Sequence, residues 1–573
     1  MKERISAAIE KALCEDPDNE HLQRQTTLLH TAQITTIDGF CAYIIRNYFH
    51  LIGLDPGYRT ADEGELKLLR GDVVKALLEE YYARKDEKFQ KFVECFATGK
   101  SDENLGNLIQ KLYEMAMSNP FPQEWLSGCM DDYRIDSLEE LRETEWMKML
   151  WDAVKDELQE AKLLVQEARR ICSEPDGPYL YDEALSSDLL LIRSLQELAE
   201  KRDYNGTAEI LMKPSFARLS TKKAADVDEQ KKQRVKDLRD EEKGILKELG
   251  QRYFQSAEKE LLEVIRYIRG PIEMLVELTA RFKKQFGEAK REKNILDFTD
   301  MEHFALQILM TKEGEEIHMS QAARELSAKY DEVLVDEYQD TNATQDMIFG
   351  SVSRPDNLFM VGDVKQSIYR FRQAMPEIFI HKRSAYHDYD GQNYPARIVL
   401  SNNFRSRSQV TDAINYLFYA LMSREVGEID YDDSEALTPS AVYPEHLQAD
   451  TEMHLVENRS EELSDPMAEA GYAARQIKKM LDEGFLVNDH GQMRPVRPGE
   501  ICILLRSMKN RAQIYENELT RLGVPVWTDS RVGFLETVEI STALSILRAV
   551  DNPLIDIHLT AAMMSPVYAF TAD

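Results

Sequence analysis

The sequence predicts an α/β chain of doubly wound character in which a long all-helical stretch separates one strand-bearing region from the next. Two patterns carry that reading. After about residue 294, short apolar runs at 333–335, 358–361, 398–400 and 501–505 alternate with helical stretches, as buried parallel strands joined by helices do. From about 62 to 290 the period changes: Leu66, Leu69, Val73, Leu77 and Tyr81 fall three to four apart, and similar stripes recur at 189–198 and 261–268, the spacing of amphipathic helices.

The elements follow in order. Residues 1 to about 60 give a helix-like opening, then an extended run at 33–37 that reads as a strand feeding an apolar helix at 40–49. Within the helical stretch, 220–250 is a mixed-charge run in which Lys222, Lys223, Lys231, Lys232, Arg234 and Lys236 alternate with acids, the pattern of a solvated helix face. The polar segment 457–465 and the Gly/Pro-bearing 488–499 read as surface loops. No repeat or low-complexity tract is present.

The chain has 573 residues, enough for roughly three to four domains. Its 102 acidic and 71 basic residues give a formal net charge of −31, so the molecule is no basic nucleic-acid coat, and any nucleic-acid contact has to be a local patch. Lys365, Arg370 and Arg372, with Arg281, Lys283, Lys284 and Lys290, are the candidates for such a strip. The six cysteines are scattered, without a CxxC pair or a zinc-ligand spacing, as expected of reduced thiols. No run approaches the ~18 apolar residues of a membrane span, and the charged opening MKERISAAIEKAL does not resemble a signal peptide, so a cytoplasmic chain without membrane partners is expected.

Chemistry is expected just after each strand, where α/β sheets hold their ligands. The run 333–335 ends in Asp336 and Glu337; one carboxylate there suits Mg²⁺ and its neighbour suits orienting and deprotonating a water. Alone, the pair also fits two surface acids capping the next helix. The run 358–361 ends in Gly362 and Asp363, and Gln366 offers an uncharged amide that can sense a terminal phosphate. Tyr369, Arg370, Phe371 and Arg372 then interleave aromatics with guanidinium groups, which stack unpaired bases and hold phosphates; the same residues also suit an amphipathic helix start with its rings in the core. After 398–400 come Phe404, a flat face for adenine, and Arg405, suited to a γ-phosphate or, more commonly, to a surface ion pair.

In this order, TTIDGFC (35–41), VLVDEYQDTNATQ (333–345), FMVGDVKQSIYRFRQA (359–374) and SNNFRS (401–406) resemble the motifs of UvrD/Rep-type DNA helicases. More narrowly, LDFTDME (296–302), GLDPGYR (53–59), ICILLRS (501–507) and the segment 551–570 look like AddA-type subunits of bacterial AddAB helicase/nucleases, relatives of RecB. The resemblance implies RecA-like, P-loop NTPase-type motor domains: the first at 1–61 and 291–400 around an inserted helical domain at 62–290, a partial second at 401–534, and the start of a helical insertion at 535–573. It implies ATP and Mg²⁺, single- and double-stranded DNA as partners, an AddB-like partner subunit, and translocation on single strands to unwind and resect double-strand breaks. A repair helicase without a nuclease and an inactive motor-fold scaffold are the alternatives. By the resemblance, Asp336 binds Mg²⁺, Glu337 activates water, Gln366 and Arg405 address the γ-phosphate and Phe404 packs on the base. Thr36, Tyr369, Phe371 and Arg372 line the DNA track. Asp38 departs from the histidine common among relatives, and a carboxylate there repels a phosphate. The glycine-rich loop GxxxxGK[ST] is absent, and nothing resembles the family's nuclease cluster. The chain is therefore expected to start partway into the first motor domain, to stop before the nuclease, and alone to bind nucleotide weakly and degrade no DNA.

Overall fold

The computed structural model describes residues 2–97, 101–222, 226–314, 316–444, 450–458, 464–489, 491–509, 511–528 and 537–571. Lys223 of the charged run, most of the expected loop at 457–465, part of that at 488–499 and the expected boundary at 534 lie outside them. The chain divides into two compact units, residues 1–397 and 398–573.

In the first unit, the stretch from Glu63 to Glu292 carries helices and short 3₁₀ turns but no strand among the described residues. Side-chain caps start many of them: Asp62, Asp86, Thr144, Asp203 and Asp228 each accept a bond from a first-turn amide that has no partner inside its helix. The helix Glu145–Cys172 buries Trp151, Val154, Leu158 and Val165, an i, i+3, i+4 stripe, against the helices Asp182–Glu200 and Glu229–Tyr253. A second core gathers Leu66, Leu77, Tyr81, Phe92 and Ile109. The 35-residue helix Glu258–Glu292 serves both, giving Leu262 and Ile265 to the first core and Met274, Leu278, Phe282 and Phe286 to the second. At ~1.5 Å per residue it reaches about 50 Å.

The mixed-charge run is not wholly a solvated face. Arg239 is buried, with Nε and Nη2 on the buried Asp188 carboxylate at 2.6 and 3.1 Å and Nη2 also on the Ala217 carbonyl at 2.6 Å. Three residues on, Glu242 is fully buried, and neither carboxylate oxygen has a hydrogen-bond partner among the described residues. Charge alternation alone cannot show that one helical turn of this face points inward.

The long helix returns the chain to where it left. Arg59–Thr60 pairs in parallel with Ile295–Leu296, Arg59 opposite Ile295 and Thr60 opposite Leu296. Beyond it, the helix Phe298–Leu309 packs on the helix Ile37–Tyr48 and buries Cys41, Ile44, Ile45, Met301, Ala305 and Leu309 in a third core. The expected extended run at 33–37 belongs to no strand: its backbone leads straight to Thr36, which caps the helix Ile37–Tyr48.

The predicted strands at 333–335 and 358–361 are present as Val333–Val335 and Leu358–Met360, paired in parallel with Val333 opposite Leu358. They are not buried on both faces. Val335 is buried, whereas Leu334 is 67% and Phe359 52% exposed, because this sheet has two strands and alternate residues face away from its core. The expected strands at 398–400 and 501–505 are not formed; no ladder among the described residues pairs them, and Leu400 and Leu504 are exposed. In the second unit the parallel pair is Asn402–Asn403 with Thr438–Pro439, and the helices Asp465–Asp482 and Ala512–Arg521 pack together around Ala474, Leu519 and Val524. Among the described residues no helix is long and apolar enough to cross a membrane.

Glu242 makes the helical block pH-sensitive. Burial, with Asp188 close by, raises its carboxyl from 4.5 to about 8. The folded chain therefore holds a proton that the unfolded chain has released, and stability falls as pH rises from 4.5 through about 8. Glu242→Gln should raise stability at pH 9 by on the order of a few kcal/mol and flatten the decline of the thermal midpoint between about pH 5 and 9, as read by circular dichroism melts.

Candidate ATPase and nucleic-acid site

In the first unit the site forms where the parallel strands Val333–Val335 and Leu358–Met360 end side by side. The ladder continues past both, with the Val361 amide on the Val335 carbonyl at 2.8 Å and the Tyr338 amide on the Val361 carbonyl at 2.9 Å. Asp336 and Glu337 are exposed at this edge. Glu337 has φ +51° and ψ +43°, left-handed backbone that few non-glycine residues adopt, and its amide donates to Asp336 Oδ1 at 3.1 Å. Asp336 Oδ2 has no partner among the described residues and is open to a hydrated cation. Among them no group of three or more acidic, histidine or cysteine side chains forms a protein cage for a metal. One carboxylate with waters and phosphate oxygens completing the sphere is how Mg²⁺ is usually held, so Asp336 fits it.

Behind the acids, the buried Tyr338 ring packs on Phe349 and Phe379, and its hydroxyl bonds Asp346. Gln339 is 1% exposed; its Nε2 donates to Glu337 Oε2 at 2.7 Å and its Oε1 accepts from the Asp363 amide at 3.0 Å. Gly362 lies directly against this amide, where a Cβ would stand 2.5 Å from Gln339 Oε1. The glycine is needed for this contact with a side chain, whereas the sequence suggested an approach to phosphate. Asp363 accepts from Gln366 Nε2 at 3.0 Å and from the Lys365 amide at 3.1 Å, and pairs with Lys365 Nζ at 2.9 Å. Partial burial pushes the Asp363 carboxyl up, but the bonds from Lys365 and Gln366 outweigh it and hold the group below the usual range.

Gln366 is exposed, as are Tyr369, Phe371 and Arg372 just beyond it. The Tyr369 and Phe371 ring centroids are 5.9 Å apart, and the Arg372 guanidinium lies over both, 5.2 and 5.6 Å from their centres. Phe371 is 74% exposed, so these rings are not the core of a helix start. Thr36 is exposed at the head of its helix, where its hydroxyl accepts from the Gly39 amide at 3.2 Å. Asp38, in the first turn, is half-buried, and burial raises its carboxyl. Glu302, which no local pattern marks, is buried with its carboxylate on Gln345 Nε2 at 2.6 Å and Asn342 Nδ2 at 3.4 Å, tying LDFTDME to TNATQ.

In the second unit, Asn403 Oδ1 accepts from the amides of Arg405 and Ser406 at 3.0 and 2.8 Å, a tight turn that presents both Phe404 and Arg405. Phe404 is 70% exposed, and the Arg405 guanidinium is solvent-facing without a partner among the described residues.

The expected basic strip is reduced. Lys290 is buried, with Nζ 2.8 Å from Asp297 Oδ2 and 2.6 Å from Asp300 Oδ2, so it offers no charge to a phosphate. Burial raises Asp297, but Lys290 more than compensates and holds it below the usual range; Asp300 is raised to about 6 by its burial and by the Asp297 carboxylate beside it. Arg281 is paired with Glu80 and Arg370 with Glu377.

A family model described as the UvrD/REP helicase N-terminal domain matches residues 1–387. The chain belongs to the UvrD/REP helicase family. The UvrD-like helicase C-terminal domain matches residues 398–572, so the two halves of this helicase pattern meet where the structure divides. The chain is 40% identical to the A-subunit of the ATP-dependent helicase/nuclease of Lachnoclostridium phytofermentans, across 100% of the chain and 45% of that protein. It is 38% identical to the protein of that name from Clostridium perfringens and 39% to the one from Geobacillus kaustophilus, covering 48% and 47% of them. It thus spans just under half the length of these relatives. UvrD-like helicase domains imply a RecA-like motor fold, and the parallel strand pair with its flanking helices is consistent with an α/β chain.

Lys290→Met should leave Asp297 and Asp300 buried without a cation and destabilise the first unit by about 3–5 kcal/mol, read as a lowered urea midpoint.

Proposed function

We propose that this chain is the motor portion of a helicase/nuclease subunit that hydrolyses ATP to translocate on single-stranded DNA, and that the complete protein, with an AddB-like partner subunit, unwinds and resects double-strand breaks for recombinational repair. The observation that carries this reading is the strand-end pair Asp336 and Glu337, with the Glu337 carboxylate bonded to a buried amide that also reaches the segment bearing Gln366 and the aromatic step. Residues 1–61 and 291–400 are assigned to a first RecA-like motor domain around the helical domain 62–290. Residues 401–534 begin a second, and 535–573 begin a helical insertion within it.

Hydrolysis needs a water aligned with the γ-phosphorus and a base for its proton. Glu337 is proposed to take that proton as the water oxygen bonds phosphorus and the bond to the β-phosphate oxygen breaks, releasing ADP and phosphate. Asp336 would hold Mg²⁺, which when bound neutralises phosphate charge. Gln366, exposed and tethered to Asp363, would contact a γ-phosphate oxygen. Phe404 and Arg405 of the second unit take the base-packing and γ-phosphate roles of the SNNFRS motif. Tyr369, Phe371 and Arg372 present two aromatic faces and a cation to unpaired bases, and Thr36 offers its hydroxyl to the DNA backbone.

The complete gene product should hydrolyse ATP faster when single-stranded DNA is added, and Glu337→Gln, which keeps shape and removes the base, should lose that activity by orders of magnitude. Stimulation absent from the native protein, with DNA binding intact, would replace this reading with an inactive scaffold. Phe371→Ala should weaken single-strand binding by about 1–3 kcal/mol in a fluorescence-anisotropy titration. With so few free cations, log K should fall with log salt at a slope of only about −2, as for ~3 phosphate contacts.

A further inference from the structure

We infer that Gln339 is a positioning residue for hydrolysis, holding Glu337 in its working orientation and linking it to the segment that carries Gln366. This inference rests on the proposed ATPase reading and adds a residue to it. Gln339 does not face solvent, and its amide bridges two segments of chain, with Nε2 on Glu337 Oε2 at 2.7 Å and Oε1 on the Asp363 amide at 3.0 Å. The two bonds together fix which way the amide points. A flipped amide would set its oxygen against a carboxylate and its NH₂ against an N–H, losing both. Neither an ionised Glu nor an apolar residue can replace it, since the position needs a donor on one side and an acceptor on the other.

The surroundings make the bridge stiff. Glu337 is exposed and sits in left-handed backbone, and Gln339 supplies the one hydrogen bond to its carboxylate among the described residues. On the far side, Gly362 leaves no slack between the second strand and the amide oxygen. Asp363, whose backbone N–H contacts Gln339, holds Gln366 Nε2 with its own carboxylate at 3.0 Å. A shift of Gln366 on meeting phosphate, or of the adjoining Tyr369–Phe371 step on meeting a base, moves Asp363 and so reaches Glu337 through one buried side chain.

The test uses the complete gene product and compares native protein, Gln339→Met, Gln339→Glu, Gly362→Ala and the Met/Ala double variant by single-strand-stimulated ATP hydrolysis, with DNA affinity and thermal melts alongside. Gln339→Met keeps volume and removes both bonds; kcat should fall about 10- to 100-fold while KM for ATP and DNA affinity stay within about twofold. Gln339→Glu should fall at least as far, although it keeps an acceptor for Asp363. Gly362→Ala displaces the same amide from outside, so the double variant should be no slower than Gln339→Met alone. A Gln339→Met enzyme with kcat within about twofold of native, KM or DNA affinity worsening in step with kcat, or full additivity in the double variant would overturn the assignment. If Gln339→Met does not fold, Gln339→Glu and Gly362→Ala decide by the same kcat criterion. A native protein without stimulated hydrolysis overturns the ATPase reading and this one with it, an outcome seen before any variant is made.

Discussion

Two three-residue strands paired in parallel govern the first-unit site. Because Val333–Val335 and Leu358–Met360 run the same way and end level, residues that follow them are delivered to one edge, though 24 positions separate Gln339 from Asp363. Antiparallel pairing would send the two exits to opposite ends of the sheet. The acids, the Gln366 amide and, a few residues on, the aromatic step all take their places from this one register. Tyr338 anchors it from below, its ring in the local core and its amide extending the ladder.

The helical block is joined to this frame by polar contacts at several depths. Lys290, near the end of the long helix, meets two carboxylates at the head of the next one. His303 Nε2 lies 2.8 Å from the Met117 carbonyl, and Thr344 donates to the Ser118 carbonyl at 3.2 Å. Burial holds His303 below its usual range, so it stays neutral near pH 7 and gives directionality in place of charge. Buried polar contacts of this kind specify one docking geometry where apolar surface alone would tolerate sliding. Thr344, in the first turn of the helix Ala343–Val352, follows the Asp336–Glu337 pair after one short 3₁₀ turn, so the block is anchored close to the proposed chemistry.

Much of this was legible in the sequence, for particular reasons. Short apolar runs closed by Asp-Glu or Gly-Asp mark strand ends, and both strands fall where those runs lie. Helical periodicity at 62–290 is equally direct. The exposed rings of Tyr369 and Phe371 could be read only as one of two options, since alternating aromatics and arginines suit a surface or a core. Other features depend on partners far along the chain. Nothing local distinguishes Lys290 from its solvated neighbours until Asp297 and Asp300 fold over it, and Arg239 turns inward only because Asp188, 51 residues earlier, is buried beside it. Gln339 stands inside a motif whose acids draw attention, yet its bridging contacts depend on the Asp363 amide, 24 residues along the chain. The runs at 398–400 and 501–505 have strand composition, but composition does not supply a neighbouring ladder.

The pairing of Arg59–Thr60 with Ile295–Leu296 has an architectural consequence. Chain leaves and re-enters the frame at adjacent strands, about 4.8 Å apart, so everything between is a closed excursion whose length hardly alters the entropy of joining its ends. Such an excursion can gain or lose whole helices over evolutionary time without disturbing the strand register that places Asp336 and Glu337. The parts that touch the frame, where Lys290 meets its two acids and where the Met117 and Ser118 carbonyls meet His303 and Thr344, are constrained to stay as they are. The outer helices are free to diverge in sequence and size, and a graft that preserves those contact residues could exchange one block for another.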